Sequence, residues 1–76
     1  MIIRLSELRP GQRGIISECT SSELFLKLME MGCIPGEAVV LEQVAPLGDP
    51  ISVRVGGYHL SLRRSEAAQL LVEINN

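Results

Sequence analysis

The chain has almost no aromatic side chains. Phe25 and Tyr58 are the only two among its 76 residues, and there is no tryptophan. Proteins that bind single-stranded nucleic acid stack the bases on aromatic side chains, and grooves for proline-rich peptides have aromatic walls. The net charge is −2, whereas binding to DNA or RNA depends on an excess of Lys and Arg that neutralises phosphates. The composition therefore argues against nucleic acid and proline-rich peptides as partners.

Long apolar runs are also missing. The longest covers only residues 38–41, far short of the roughly 20 residues that a membrane-spanning helix needs. The first three residues are apolar, but Arg4 and further polar residues follow at once, which does not match a signal peptide. We therefore expect a cytoplasmic protein that does not insert into a membrane.

Cysteine is scarce as well, with Cys19 and Cys33 as the only two. Two cysteines are too few for a disulfide framework, although they could bridge to each other. A structural zinc site needs four ligands in paired spacing, and one histidine with two separated cysteines does not supply it. The sequence therefore predicts two free, buried thiols.

The first half of the chain predicts a strand followed by a helix. Residues 12–19 favour a strand, and Thr20 with Glu23 three residues later matches a helix-capping box. A helix is predicted over residues 21–31, because Gly32 suits a left-handed C-terminal position and Pro35 prevents continuation.

The second half of the chain predicts strands joined by tight turns. Residues 37–45 favour a strand, and residues 46–50 contain two prolines, a glycine and an aspartate, which is typical of a turn. Residues 51–55 and 58–62 alternate in polarity around Gly56-Gly57, a strong hairpin signal. Ser65 is predicted to cap one helical turn through Ala68, and a last short strand contains Leu70, Val72 and Ile74. The whole pattern predicts a single mainly β domain over residues 1–76, a small closed or nearly closed barrel of about five strands.

Few residues suggest chemistry. Tyr58 shares a face of its strand with Leu60 and Leu62, so we expect it in the core with its hydroxyl at the rim. His59 lies on the opposite, solvent-facing side, and no Ser-His-Asp or Cys-His arrangement can be built from the spacing. None of the seven glycines falls in a phosphate-binding motif. The sequence thus predicts a protein that is not an enzyme and has no catalytic residues.

No pair of acidic residues has the spacing of a metal site, but folding could bring distant ligands together. The candidates for a metal site are Cys33, His59 and Asp49. Thiolate and imidazole ligands suit late first-row metals better than ferrous iron.

Several short motifs together resemble the FeoA family, small cytoplasmic proteins of bacterial ferrous-iron uptake. The motifs occupy residues 28–36 (LMEMGCIPG), 45–50 (APLGDP) and 60–63 (LSLR), preceded by Leu8-x-Pro10-Gly11-x-x-Gly14. The resemblance implies an SH3-like barrel with one inserted helix, and association with the cytoplasmic GTPase region of the FeoB membrane transporter. A similar barrel forms the C-terminal domain of diphtheria-toxin-repressor-type metalloregulators. The departures are Lys27, where arginine is common, and Cys33, where an aliphatic or aromatic residue is common. The resemblance supplies no catalytic residues and no required cofactor, and it leaves ferrous iron or another transition metal as a possible ligand.

The predicted helix carries more apolar surface than one small barrel can cover. Its apolar residues span roughly 220° of the helical wheel, whereas a helix lying on a barrel needs a stripe of about 100°. Either the loop at residues 33–35 or the N-terminal Ile2 and Ile3 cover the excess, or it is exposed. In the second case the patch docks the transporter or a second copy of this chain, and its residues are Phe25, Leu26, Met29, Cys33 and Ile34.

Two functions of different classes follow. The first is an accessory protein that binds the cytoplasmic part of FeoB and regulates ferrous-iron uptake. The second is a metal-binding sensor related to the SH3-like domain of iron-dependent repressors, with Cys33, His59 and Asp49 as ligands.

Overall fold

The computed structural model describes residues 1–75. In these residues the strands are β1 (Ile2–Arg4), β2 (Arg13–Cys19), β3 (Ala38–Val44), β4 (Ile51–Val55), β5 (Tyr58–Leu62) and β6 (Leu70–Glu73). A 3-10 turn (Leu5–Glu7) follows β1, helix α1 (Ser22–Glu30) lies between β2 and β3, and the short helix α2 (Arg64–Ala67) lies between β5 and β6. The strands form one antiparallel sheet in the order β1-β6-β2-β3-β4-β5. The predicted mainly β fold with one inserted helix is confirmed.

One strand was not expected from the sequence. Strand β1 has three residues and pairs with the last strand, so that Ile2 lies opposite Glu73 and Arg4 opposite Leu71. A segment of three residues is too short to show the alternation of polar and apolar residues by which a strand is recognised. It forms a strand because it pairs with residues some 70 positions away in the chain.

The core lies between the sheet and α1. Its fully buried side chains come from alternate positions of the strands, from one face of the helix and from the 3-10 turn. The largest of them are Leu5, Leu28, Leu41, Ile51, Val39, Val53 and Val72. No helix within residues 1–75 is long and apolar enough to cross a membrane.

The helix caps differ by one or two residues from the predicted ones. Ser21, not Thr20, caps α1, since its Oγ accepts a hydrogen bond from the Leu24 N–H at 3.3 Å. The Thr20 hydroxyl instead donates to the Gln69 carbonyl at 3.1 Å, which ties the helix entrance to α2. Helix α2 begins at Arg64, ahead of the expected cap at Ser65, and the Glu66 carboxylate accepts from the Arg63 N–H at 2.9 Å.

Tyr58 lies at the surface, contrary to the expectation of a core position. Its side chain is 66% exposed, while Leu60 is half-buried and Leu62 is buried. Within residues 1–75, strand β5 has a neighbour on one side only, and Tyr58 is its first residue after the Gly56-Gly57 turn. At that end of β5 a residue on the same face as Leu60 and Leu62 is not buried, because few other residues of the domain lie close enough to cover it.

Gly14 is required by a close approach between β2 and β6. A Cβ at this position would lie 3.2 Å from the Val72 Cβ and 3.3 Å from the Glu73 carbonyl oxygen. We expect Gly14→Ala to lower the free energy of unfolding by roughly 1–3 kcal/mol, since the strands must separate to admit the methyl group. Urea denaturation measures this change. Ser17→Ala, at an exposed position of the same strand, is the control and should change stability by less than about 0.5 kcal/mol; equal losses in both variants would contradict the steric argument.

The Glu66 carboxylate makes stability depend on pH. Its pKa is lowered mainly by the hydrogen bond from the Arg63 N–H, with a further contribution from Lys27, whose Nζ lies 3.2 Å away. A lowered pKa in the folded state stabilises the protein above the unfolded pKa, and this contribution disappears as the pH falls through the folded pKa.

We therefore expect Glu66→Gln to be less stable than the parent at neutral pH, and the difference to vanish on acidification to about pH 2. Urea unfolding at a series of pH values tests this, with Glu18→Gln on the exposed face of β2 as the control. A stability difference that stays constant over the whole pH range would refute the electrostatic explanation.

Candidate functional site

The main surface feature is an apolar strip on the outer side of α1. Leu24 and Leu28 of this helix are buried and hold it on the sheet. Leu26 is 57% exposed, Met29 is 44% exposed and Phe25 is half-buried. These three residues are neighbours on the helical wheel. Measured from Leu24, Phe25 lies at about 100°, Met29 at about 140° and Leu26 at about 200°. Together with Ile34, which follows the helix and is 40% exposed, they form what we call the α1 surface.

Hydrogen bonds after the helix fix the position of Ile34. Gly32 has a φ of 84°, which ends α1, and the Cys33 N–H then donates to the Leu28 carbonyl at 2.8 Å. The chain next joins β2, where the Gly36 N–H donates to the Ile16 carbonyl at 2.8 Å. Ile34 is therefore held beside the end of the helix by backbone contacts on both sides.

Neither of the two expected covers removes the apolar excess of the helix from solvent. The loop after α1 adds an exposed isoleucine instead of shielding the helix, and Ile2 is itself 50% exposed in β1. The exposed alternative is the one found. A contiguous apolar patch on a small protein is typical of an interaction site, and the flexible Met29 thioether can adapt to the shape of a partner.

Cys33 does not border this surface as expected. Its side chain is 3% exposed and belongs to the core. Burial raises the pKa of the Cys33 thiol, and the negative charge of Glu37 raises it further. Both cysteines are free, with Cys19 half-buried and its thiol donating to the Ser21 carbonyl at 3.3 Å. The Cys33 thiol is thus a neutral, buried group rather than a contact residue.

The other two metal candidates have local partners of their own. Asp49 Oδ1 accepts a hydrogen bond from the Arg64 N–H at 3.0 Å and so joins the turn after β3 to α2. His59 Nδ1 lies 2.6 Å from Glu42 Oε1 on the solvent side of the sheet. Among residues 1–75 there is no group of three or more His, Cys, Asp or Glu side chains that could hold a metal ion.

The pair of His59 and Glu42 was missed in the sequence. The two residues are 17 positions apart and lie on β5 and β3, with β4 between them. Glu42 is the extra residue of a bulge, since Leu41 lies opposite Val53 and Gln43 opposite Ser52. Because the contact crosses a strand and joins residues far apart in the chain, no local sequence pattern indicates the pair.

A shallow groove continues from the end of α1 to the edge of the sheet. It is lined by Met29, Glu30, Met31, Gly32, Tyr58 and Leu60. At the other end of β5, Lys27, Arg63 and Glu66 surround a second, more polar hollow. Met29 thus belongs both to the α1 surface and to the groove that reaches Tyr58 and Leu60 of β5.

Comparison with known sequences agrees with the motifs. The model of the FeoA domain family matches residues 3–74. Over 73 residues the chain is 40% identical to an Fe(2+) transport protein A/Fe(2+) transporter FeoB fusion protein of Porphyromonas gingivalis. The match covers 95% of this chain but only 9% of the fusion protein.

Solved structures agree in fold. The solution structure of the FeoA protein from Chlorobium tepidum superimposes with a TM-score of 0.91 at 35% identity, over 97% of this chain and 71% of that chain. The crystal structure of Stenotrophomonas maltophilia FeoA complexed with zinc, described as an SH3 domain protein, gives a TM-score of 0.82 at 29% identity, over 93% and 89% of the two chains. A manganese-dependent transcriptional repressor shares the fold alone, with a TM-score of 0.86 at 14% identity over 97% of this chain and 42% of that chain.

The predicted SH3-like fold is thereby confirmed, and so is the resemblance on which it rested. The family model spans nearly the whole chain, and the same α1 and sheet arrangement occurs in the FeoA structures. On these grounds the chain belongs to the FeoA family.

Proposed function

We propose that this chain is a non-enzymatic accessory protein of ferrous-iron uptake that acts in the cytoplasm and binds the cytoplasmic part of the FeoB transporter through the α1 surface. The observation that carries the proposal is the exposure of Leu26 and Met29 on a helix whose other face is fully packed. The relative in which an FeoA sequence and a FeoB transporter share one polypeptide supports the choice of partner.

The α1 surface fits a partner with an apolar groove. Burying a fully exposed leucine or methionine side chain contributes about 1.5–3 kcal/mol. Leu26 and Met29 are each about half-exposed, so covering both contributes roughly 1.5–3 kcal/mol together, which is about 10-fold or more in affinity. Glu23, Lys27 and Glu30 border the strip on the side of Leu26, and such a polar rim orients a docked helix.

Two partners that are fused in one chain can associate even when their affinity for each other is low. Domains joined in one chain meet at a high effective concentration, so a weak contact is enough to keep them together. Where the two are separate chains, the same contact becomes sensitive to the concentration and state of each partner. That sensitivity is what a regulator of transport requires.

The test is association with the cognate FeoB cytoplasmic region, measured by pull-down and calorimetry with the bound nucleotide varied. We expect Leu26→Glu to weaken binding by at least about 10-fold, because a carboxylate in an apolar groove must be desolvated without a partner. Leu47→Glu is the matched control, since Leu47 is 97% exposed in the turn after β3 and outside the α1 surface.

Phe25→Asp provides a second variant, to be checked by circular dichroism because Phe25 is half-buried. If it unfolds the domain, the residue contributes to the core and Leu26→Glu alone decides. Absence of association in every nucleotide state, with and without ferrous iron, would overturn the proposal. Equal losses in Leu26→Glu and Leu47→Glu would show an effect of charge rather than of the α1 surface.

A metal-binding sensor is the second candidate, favoured by the zinc complex of the Stenotrophomonas maltophilia relative. In this chain Cys33 would have to lose a proton to become a ligand, which its raised pKa opposes. Asp49 and His59 would have to leave the partners described above.

We therefore expect anaerobic titration with ferrous iron to give no tight one-to-one signal that depends on Cys33. The titration is repeated on Cys33→Ser, and zinc is titrated in parallel because thiolate and imidazole ligands favour it over ferrous iron. A one-to-one ferrous signal that disappears in Cys33→Ser would support the sensor instead.

A further inference from the structure

Strand β5 forms an unusually unprotected edge of the sheet. Among residues 1–75 it pairs with β4 alone, and its five residues include no proline and no lysine. Native sheets normally protect an open edge with such residues or with a very short strand, and the opposite edge, β1, has only three residues. An unprotected edge of this length suits the addition of another strand.

The backbone groups that face outward can be identified from the turn. Gly56 and Gly57 form a two-residue turn with positive φ at both positions, so the flanking pair of Val55 and Tyr58 is hydrogen-bonded. Bonded and non-bonded pairs alternate along antiparallel strands. The N–H and C=O groups of His59 and Ser61 therefore point to the open edge, where residues 1–75 provide no backbone partner for them.

We infer that this edge pairs in antiparallel fashion with β5 of a second copy of the chain, with Leu60 opposite Leu60. In this register His59 of one copy lies opposite Ser61 of the other, and each such pair exchanges two hydrogen bonds. A shift of two residues one way would place His59 opposite His59, and a shift the other way would place it opposite Arg63. The first shift also places Ser61 opposite Gly57 of the turn, and the second pairs His59 with a residue beyond the end of β5. The central register alone pairs both outward-facing residues within the strand.

The side chains also complement one another in this register. Tyr58 of one copy lies opposite Leu62 of the other, a cross-strand pair of the aromatic-aliphatic kind. Tyr58 is 66% exposed and Leu60 half-buried in the single chain, and both become covered. The part of the groove lined by Met31 and Leu60 receives the apolar side chains of the second copy. The exposure of Tyr58 thus has a physical explanation.

The charges beside β5 are arranged in a complementary way. Glu30 borders the groove at the Tyr58 end of the strand. At the Leu62 end Lys27 is paired with Glu66 at 3.2 Å, and Arg63 contributes a further positive charge to the same hollow. A twofold axis through Leu60 turns one end of the strand onto the other. The acidic end of each copy therefore faces the basic end of its partner, which favours the antiparallel arrangement of the two strands over a parallel arrangement.

Sedimentation equilibrium over a range of concentrations tests the pairing. We expect Ser61→Pro and Tyr58→Glu each to raise the dissociation constant of the dimer at least about 10-fold. Proline at position 61 removes an N–H that faces the edge and leaves the β4 hydrogen bonds intact, so the fold is retained. Ser61→Ala keeps that N–H and should dimerise like the parent, as should Leu26→Glu.

A charge reversal tests the register itself. Glu30→Lys places a cation at the Arg63 end of the second copy and should weaken the dimer. The double variant Glu30→Lys with Arg63→Glu restores opposite charges across the interface and should recover most of the lost affinity. Failure of the double variant to recover any affinity would overturn the assigned register.

The remaining outcomes each overturn the proposal. A parent chain that stays monomeric up to about 1 mM has no useful self-association. A dimer unaffected by both Ser61→Pro and Tyr58→Glu uses another surface. Protection of the His59 and Ser61 amides from hydrogen exchange by the FeoB cytoplasmic region, in a chain that is otherwise monomeric, would assign the edge to a partner strand. Transporter binding should be unchanged in Ser61→Pro. Failure of the dimer proposal can therefore be distinguished from failure of the proposed function, which is transporter binding.

Discussion

The structure depends above all on the packing of Leu24 and Leu28 against the sheet. A helix of nine residues is too short to be stable by itself in water, so α1 exists because its buried face is held by the core. The same two leucines fix the rotation of the helix about its axis. That rotation decides which residues remain outside, and it turns Leu26 and Met29 to solvent. The stability of the domain and the character of its surface therefore have one cause.

The second constraint is the geometry of the sheet, which includes two bulges. In β2 the register shifts between Ile16 and Glu18, and in β3 it shifts between Leu41 and Gln43. A bulge bends its strand and increases the local twist, which lets a small sheet curve around a core of few residues. The bulge in β3 also places Glu42 against His59. The same bulge therefore contributes to the curvature of the sheet and contains the residue that contacts His59 on its outer face.

Most elements could be predicted because their signals are local. The hairpin follows from the positive φ that Gly56 and Gly57 permit, and the end of α1 follows from Gly32. The features that were missed depend on distant parts of the chain. Strand β1 pairs with β6, His59 contacts Glu42 across β4, and the Thr20 hydroxyl donates to the Gln69 carbonyl instead of capping α1. Burial of Cys33 likewise depends on how the loop returns to β2, which no periodicity in the sequence describes.

The pairing of β1 with β6 has a consequence for how such a domain is joined to other chains. The backbone nitrogen of Met1 lies 3.2 Å from the Ile74 carbonyl, so the polypeptide enters and leaves at neighbouring points. Both points are at the margin of the sheet farthest from β5 in strand order. A tether attached at either point departs from this margin, beside β1 and β6. Because its two ends lie side by side, such a domain can be inserted into a longer polypeptide without rearrangement of its strands.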